Sequence, residues 1–324
     1  MTYGRMLPFV GLLALMVSCN SNDKGKPNED KVVDSTATNQ SSAKDTSIAS
    51  IQQEFADTVP TKKPSNEPVV LKFNLQKGKT YNYLVTLDVS QKRGDQSRST
   101  DMRWNYDVKV ADVKNKLTTL EATYKRIEMT MNMGKDQKME FSSEKKVDAM
   151  DFMQMPSKMF SIIKGKSFIM QVNEKGEVVS VTGIDKIGEA VINEMGLPEE
   201  MKPMARQTFQ KQFNDESVKQ LFSQMFNVLP NKAVKVGDSW KTSSDLSAIH
   251  QTVSTVYTVK NIKDDRVYLT GDSKINSTDG RNAAAQESQF IIDSKTGLMI
   301  DGLFNQETGD GNTSTKTRIK GKES

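Results

Sequence analysis

One cysteine and one histidine in 324 residues remove much of catalytic chemistry at the outset. A lone thiol forms no intramolecular disulfide and no thiolate metal cage. Hydrolytic triads need a general base, usually histidine. His250, the sole histidine, stands at the start of a strand pattern beside Gln251 and Thr252, where a solvated strand-end residue is the plain reading. Neither the phosphate-cradling P-loop pattern nor the glycine-rich dinucleotide fingerprint occurs. Carboxylates are plentiful, but Glu199-Glu200 and Asp264-Asp265 fall at a helix start and a hairpin turn. Both places favour acids through the helix dipole and turn chemistry. The sequence therefore points away from an enzyme, an envelope hydrolase included, and implies no cofactor. Net charge is also scant, at +4. Lys and Arg are scattered among acids rather than striped with aromatics, which argues against nucleic acid as a partner.

Long hydrophobic runs are just as scarce. Only Leu7–Val17 is apolar without a break, and its eleven residues fall short of the ~20 that a membrane-spanning helix needs. With Arg5 before it and Ser18 after it, the run has the form of an export signal over residues 1–18. The segment "LMVSC" resembles a bacterial lipobox, with Met16 where leucine is usual. Cleavage then falls between Ser18 and Cys19, and Cys19, the only thiol, is the lipidation site. Each acyl CH2 placed in lipid contributes about 0.8 kcal/mol, so the several chains of a lipoprotein cysteine hold firmly. Asn20 rather than Asp follows the cysteine, which points to the outer membrane. No acidic cluster directly follows Cys19, the nearest acidic pair being Glu29-Asp30, which favours the periplasmic face over the cell surface. Loss of Arg5 with the signal lowers the formal charge from +4 to +3.

Residues 19–68 are the lipidated cysteine and a tether. From Asn20 to Pro68 the chain is Ser, Thr, Asn, Asp, Lys and Pro with scattered small apolar residues. Such a composition cannot bury enough surface to offset its ordering entropy. The 49 residues give a root-mean-square reach of about 35–42 Å for a flexible coil.

Residues 69–324 form the globular part, and strand patterns dominate it. Val69–Leu75 and Lys79–Val89 alternate apolar with polar around a turn at Lys77-Gly78. Trp104, Tyr106, Val108 and Val110 share one face at period two, and Leu120, Ala122 and Tyr124 continue on even positions. Ile127, Met129, Met131 and Met133 then fall on odd ones, a phase switch that predicts a β-bulge near Arg126. Gly134–Lys138 turns the chain into Met139 and Phe141, and Phe168–Val181 reads as a hairpin turned at Glu174-Lys175-Gly176. The C-terminal "KTRIKGKES" reads as a basic solvated tail, with contact to anionic lipid heads as the alternative.

A helical insertion spans about 183–228. Thr182 is a candidate cap for a helix with Ile184, Ile187, Val191 and Met195 at helical spacing, ended by Gly196. Pro198 suits the first turn of a second helix with Met201, Ala205 and Phe209. Asp215 suits the cap of a third, whose apolar face is Val218, Leu221, Phe222, Met225 and Phe226. A faint repeat brackets the insertion. Gly78-Lys79-Thr80-Tyr81 parallels Gly237-Asp238-Ser239-Trp240, and Val110…Val113-Lys114 parallels Val259…Ile262-Lys263. Phe168 to Gly176 likewise parallels Phe290 to Gly297. The expected fold class is α+β, predominantly antiparallel β. It is a curved sheet or half-barrel-like clam of two related β-units, with the helices as a cover.

Methionine is the local excess. Eight of the 18 lie between Met129 and Met159, in "MTMNM" and "MDFMQMPSKM". Thioethers are soft ligands that select Cu(I), so Met129, Met131, Met133, Met150, Met153 and Met155 are candidates for Cu(I) or Ag(I) handling. Methionine also fills irregular cores and lines adaptable apolar surfaces. The same residues are therefore also candidates for core, the plainer reading, or for the lining of an apolar ligand cavity. No neighbouring His or Cys supports the metal.

On "LKFNLQKGKTYNY", "FIMQVNEKGEVVSVTGID" and "LPNKAVKVGDSW", the chain resembles a family of uncharacterised lipoproteins common in Bacteroidota, over roughly residues 69–305. The resemblance implies the envelope address and the β architecture, and carries no activity or site residues. The leading reading is a non-enzymatic binding or scaffold lipoprotein. Its partners are the membrane through its anchor, a lipid or other apolar ligand, and envelope proteins.

Overall fold

Alternating patterns make strands, and here nearly all of those strands join one sheet. The computed structural model describes residues 67–324 apart from 95, 135–136, 148–150, 247–250, 278–283 and 309–310. Cys19, Met150 and His250 lie outside the described residues, as do the expected signal, residues 1–18, and all but the end of the expected tether. A short pair, β1 (Val69–Leu71) and β8 (Lys232–Val234), stands apart. The first half of the large sheet holds β2 (Thr80–Arg93), β3 (Gln96–Lys114), β4 (Leu117–Asn132), β5 (Lys138–Ser142), β6 (Ser167–Asn173) and β7 (Val178–Thr182). The second half holds β9 (Ser239–Leu246), β10 (Gln251–Lys263), β11 (Arg266–Ser277), β12 (Ala284–Asp293) and β13 (Met299–Thr308). The order across it is β7-β6-β4-β3-β2, then β14 (Thr313–Glu323), then β13-β12-β11-β10-β9, with β5 beside β4.

That order is the repeat made visible: each half runs from its last strand to its first, and β14 splices them. The turn chemistry repeats as well. The Gly78 N–H donates to the Val110 carbonyl and the Val110 N–H to that of Lys79; Gly237, Val259 and Asp238 make the same two bonds. Gly78 and Gly237 have φ of 89° and 90°, which only glycine adopts freely. Two later turns also match: a Cβ on Gly176 would run into the Phe226 carbonyl, and one on Gly297 into that of Lys72.

The C-terminal residues are not a solvated tail. They form β14, paired on both sides, with Ile319 at 1% exposure in the core. Inward positions Thr315, Thr317 and Ile319 alternate with outward Lys316, Arg318 and Lys320, a period-two pattern obscured by its lysines.

Tyr124 pairs with Tyr106 and Arg126 with Asn105, leaving Lys125 unpaired. This bulge is the phase switch that the sequence predicts, and it keeps Ile127 and Met129 on the inner face after Leu120, Ala122 and Tyr124.

Among the described residues four helices contribute to the core on the inner face: α1 (Met155–Ile163), α2 (Ile184–Glu194), α3 (Lys202–Gln212) and α4 (Asp215–Phe226). The caps differ from the sequence reading. Thr182 ends β7, and the α2 N-terminus is capped from a distance, its Ile184 N–H donating to Asp215 Oδ1 at 2.8 Å. Asn214, not Asp215, caps α4, accepting from the Ser217 N–H at 2.8 Å. Pro203, not Pro198, sits in the first turn of α3. Helix α1 goes unread in the sequence because its "MPSKMFSII" begins inside the methionine cluster. Among the described residues no helix is long and apolar enough to cross a membrane.

On the opposite face of the first half, Asp88 and Asp101 stand directly across β2 and β3. Asp88 is exposed as a residue, yet partial burial of its carboxyl, then the charge and hydrogen bond of Asp101, push it up to about 6 against the pull of Arg103 and Lys316. The folded state thus holds a proton between 3.8 and about 6 that the unfolded chain has lost. Stability therefore falls as pH rises through that window and stays lower above it. Asp88→Asn is expected to flatten this part of the profile and to raise the melting temperature at pH 7.5. Thermal unfolding of both proteins from pH 3.5 to 8 checks it, and parallel profiles would refute it.

Candidate functional site: the methionine corner and the helix-closed interior

The methionine candidates occupy different environments. Met129 is 2% exposed, in register with Met102 of β3 and Phe141 of β5. It is core. Met131, opposite Met139 of β5, is partly buried at the core margin, as is Met155 at the start of α1. Met133 lies just past β4, its N–H bonded to the Gln137 carbonyl at 2.9 Å. Met153 is 69% exposed, in the 3-10 turn Phe152–Gln154.

Strand and turn meet at a surface groove of about 460 Å³ lined by Met139, Met153, Phe141, Gln154, Lys138, Glu140 and Lys145. The groove runs along the edge of β5, and its polar groups are already engaged. Lys145 Nζ donates to the Glu140 carbonyl at 2.5 Å, and the Ser142 N–H to Ser157 Oγ at 3.1 Å. Lys138 pairs with Glu140 at 2.6 Å. Met139 is the residue missed as a site candidate: its signal was the cross-strand register with Met131, which needs the hairpin to be placed first. Among the described residues no group of three or more His, Cys, Asp or Glu stands together to hold a metal.

The interior is the larger feature. In the first half it is aromatic: Phe222 of α4 lies 6.2 Å from Tyr106, 5.6 Å from Phe168 and 6.0 Å, stacked, from Phe226. Phe226 in turn meets Phe73 edge-on at 5.7 Å. The Tyr106 and Tyr124 hydroxyls are held far above their usual range by burial, and bond to each other.

In the second half the inner face carries hydroxyls. Thr255 and Ser273 share a buried hydrogen bond at 2.8 Å, and Ser288 Oγ donates to the Gly271 carbonyl at 3.0 Å. Burial raises the Tyr257 hydroxyl, with Thr242 and Thr255 bonded to it. A crevice of about 30 Å³ between this face and Ser223 and Asn227 at the end of α4 has room for roughly one water.

Helix α4 closes both halves. It packs on β7 and touches β9, the two ends of the strand order. One helix reaching both edges requires a sheet that curves round without closing, with α4 in the seam. The cap from Asp215 ties α4 to α2. Arg206 on α3 makes a two-pronged pair with Glu189 on α2 at 2.6 and 2.9 Å. Gly183, with φ of 105°, joins β7 to α2, and Trp240 Nε1 fixes the far side by donating to the Val228 carbonyl at 2.9 Å.

A mostly antiparallel, unclosed curved sheet with covering helices defines the class, and sequence defines the family. The chain belongs to a family of unknown function (DUF6263), whose model matches residues 115–309. No curated protein matches it. Among solved structures it is similar to lipovitellin, described for its lipid–protein interactions, at 10% identity and a TM-score of 0.44, covering 78% of this chain and 25% of that one. The chain thus spans about a quarter of lipovitellin's length. It is also similar to the COG4313 outer membrane channel of Pseudomonas putida F1, at 6% identity, 81% and 100% coverage and a TM-score of 0.27. A β-barrel-like protein of domain of unknown function DUF1849 from Brucella abortus matches at 9% identity, 77% and 99% coverage and a TM-score of 0.22. None of these three scores reaches 0.5.

Proposed function

We propose that the protein is a non-enzymatic binding lipoprotein. Cys19 anchors it to the outer membrane, and its curved sheet takes an apolar or amphiphilic ligand when α4 swings out of the seam. The observation that carries this reading is α4 itself, which fills the gap between β7 and β9 with Phe222 and Phe226 and so plugs an aromatic interior. Large aromatic surfaces are expensive to leave wet. A displaced α4 therefore calls for an apolar replacement, and the hydroxyls of Thr255, Tyr257 and Ser273 beside it suit a polar head. A second reading, Cu(I) or Ag(I) handling, is favoured by one observation, the two thioethers of Met139 and Met153 in a single groove.

The test is native mass spectrometry of the mature chain carrying Cys19→Ser, exported without its lipid. Spectra are taken as purified and after Cu(I) is added under reducing conditions. The expected result is an adduct of several hundred daltons that extracts into organic solvent. A bare mass that gains copper stoichiometrically, and loses the gain in Met139→Leu/Met153→Leu, would replace the first reading with the second. A bare mass in both conditions would overturn both.

A further inference from the structure

The sheet face turned away from the helices carries a second apolar cluster. Tyr268 of β11, Ile291 of β12 and Leu303 of β13 are 4%, 1% and 1% exposed, with Ile300 packed against them. Tyr268 stands opposite Ile291, Ile291 opposite Asp301, and Leu303 opposite Arg318. The face of an antiparallel sheet that meets water ordinarily reads as polar and solvated; these residues are as dry as the core. Next to them, Gln289 Oε1 and Asn305 Oδ1 are buried without a hydrogen-bond partner, although buried acceptors in folded proteins nearly always have a donor. Among the described residues, the apolar side chains of this cluster come from β11, β12 and β13 alone, with no helix among them.

We propose that residues 48–59 of this chain dock on that face, extending the fold beyond its sheet and helices. Position is the first argument. The Asn74 N–H and side-chain amide donate to the carbonyls of Thr296 and Lys295 at 2.9 and 3.2 Å. The arm after β1 therefore lies against the β12–β13 turn, a few residues from Ile300. The eight steps from Val59 to Glu67 span up to about 26 Å when extended.

Chemistry is the second argument. Ile48, Ile51, Phe55 and Val59 recur at three- and four-residue intervals in an otherwise polar stretch, the spacing of a single apolar stripe. Residues 45–59 hold Asp45, Glu54 and Asp57 and no Lys or Arg. The cluster is flanked by Arg266, two residues before Tyr268, and by Lys320, opposite Asp301. Gln52 and Gln53 bring amide donors for the two orphan oxygens. Docking would leave Asn20–Ser47, 28 residues, as free tether, and shorten its reach to about 26–32 Å.

The test is hydroxyl-radical footprinting of the full mature chain against Ile51→Asp/Phe55→Asp, with exposed Val256 as internal reference and far-UV circular dichroism to check the fold. The expected result is strong protection of Tyr268 and Leu303 in the parent and several-fold faster oxidation of both in the variant. Free oxidation in the parent would overturn the proposal. So would protection that persists in the variant, whether light scattering then shows a second copy covering the face or a monomer.

Discussion

Replacing Arg318 with methionine is expected to destabilise the fold by about 3–5 kcal/mol, the usual cost of stranding one partner of a buried ion pair. Arg318 Nη2 donates to Asp301 Oδ2 at 2.6 Å and its Nε to Oδ1 at 3.1 Å, with the two side chains 9% and 11% exposed. The variant leaves the buried Asp301 carboxylate without the guanidinium that pairs with it, and a buried charge without its partner is costly. Asp301→Leu/Arg318→Met should recover much of the loss, because an apolar pair of similar volume often matches or exceeds a buried ion pair. The position magnifies the effect: among the described residues β14 alone joins the two halves of the sheet, and this pair stitches it to β13. Urea unfolding of the two single variants and the double one measures the cycle. A double variant as unstable as the sum of the singles would show that the two residues do not act as a unit.

That splice is also where the sequence is hardest to read. The halves themselves are legible because each rests on local chemistry: the positive-φ glycines Gly78 and Gly237, the alternation from Trp104 to Val110, the phase switch that the Lys125 bulge absorbs. β14 reads as a tail because its outward residues are Lys316, Lys320 and Lys322, and its partners β2 and β13 are set by long-range register that spacing does not encode. The helix caps fail for the same reason. Thr182 and Asp215 are the right residue types near the right places, yet Asp215 caps α2 across a tertiary contact while Asn214 caps its own helix. The methionine candidates divide on burial, which depends on where the β4–β5 hairpin and the turn before α1 come to lie. Met129 ends up inside, Met153 outside, and Met139 emerges only once its register with Met131 is known.

The seam helix gives the sharpest test of how stability and binding are linked. Phe222→Ala is expected to cost about 3–5 kcal/mol, as for other buried aromatic truncations, since the ring touches Tyr106, Phe168 and Phe226 at once. A domain typically has only about 5–15 kcal/mol of stability in total, so the variant should melt markedly earlier. The loss falls on a helix that contacts both sheet edges, β7 and β9. The opened population should therefore be a sheet that keeps its strands and exposes Tyr106, Tyr124 and Phe168, distinct from a globally unfolded chain. Below its melting transition, Phe222→Ala should take up an apolar fluorescent dye that the parent excludes, with its far-UV signal unchanged. Phe209→Ala is the control: that ring packs on Phe213 and against Gly188 of α2, away from the seam, and should lower stability without admitting dye. Dye uptake by both variants, or by neither, would remove α4 from its role as the closing element and leave a permanently packed scaffold.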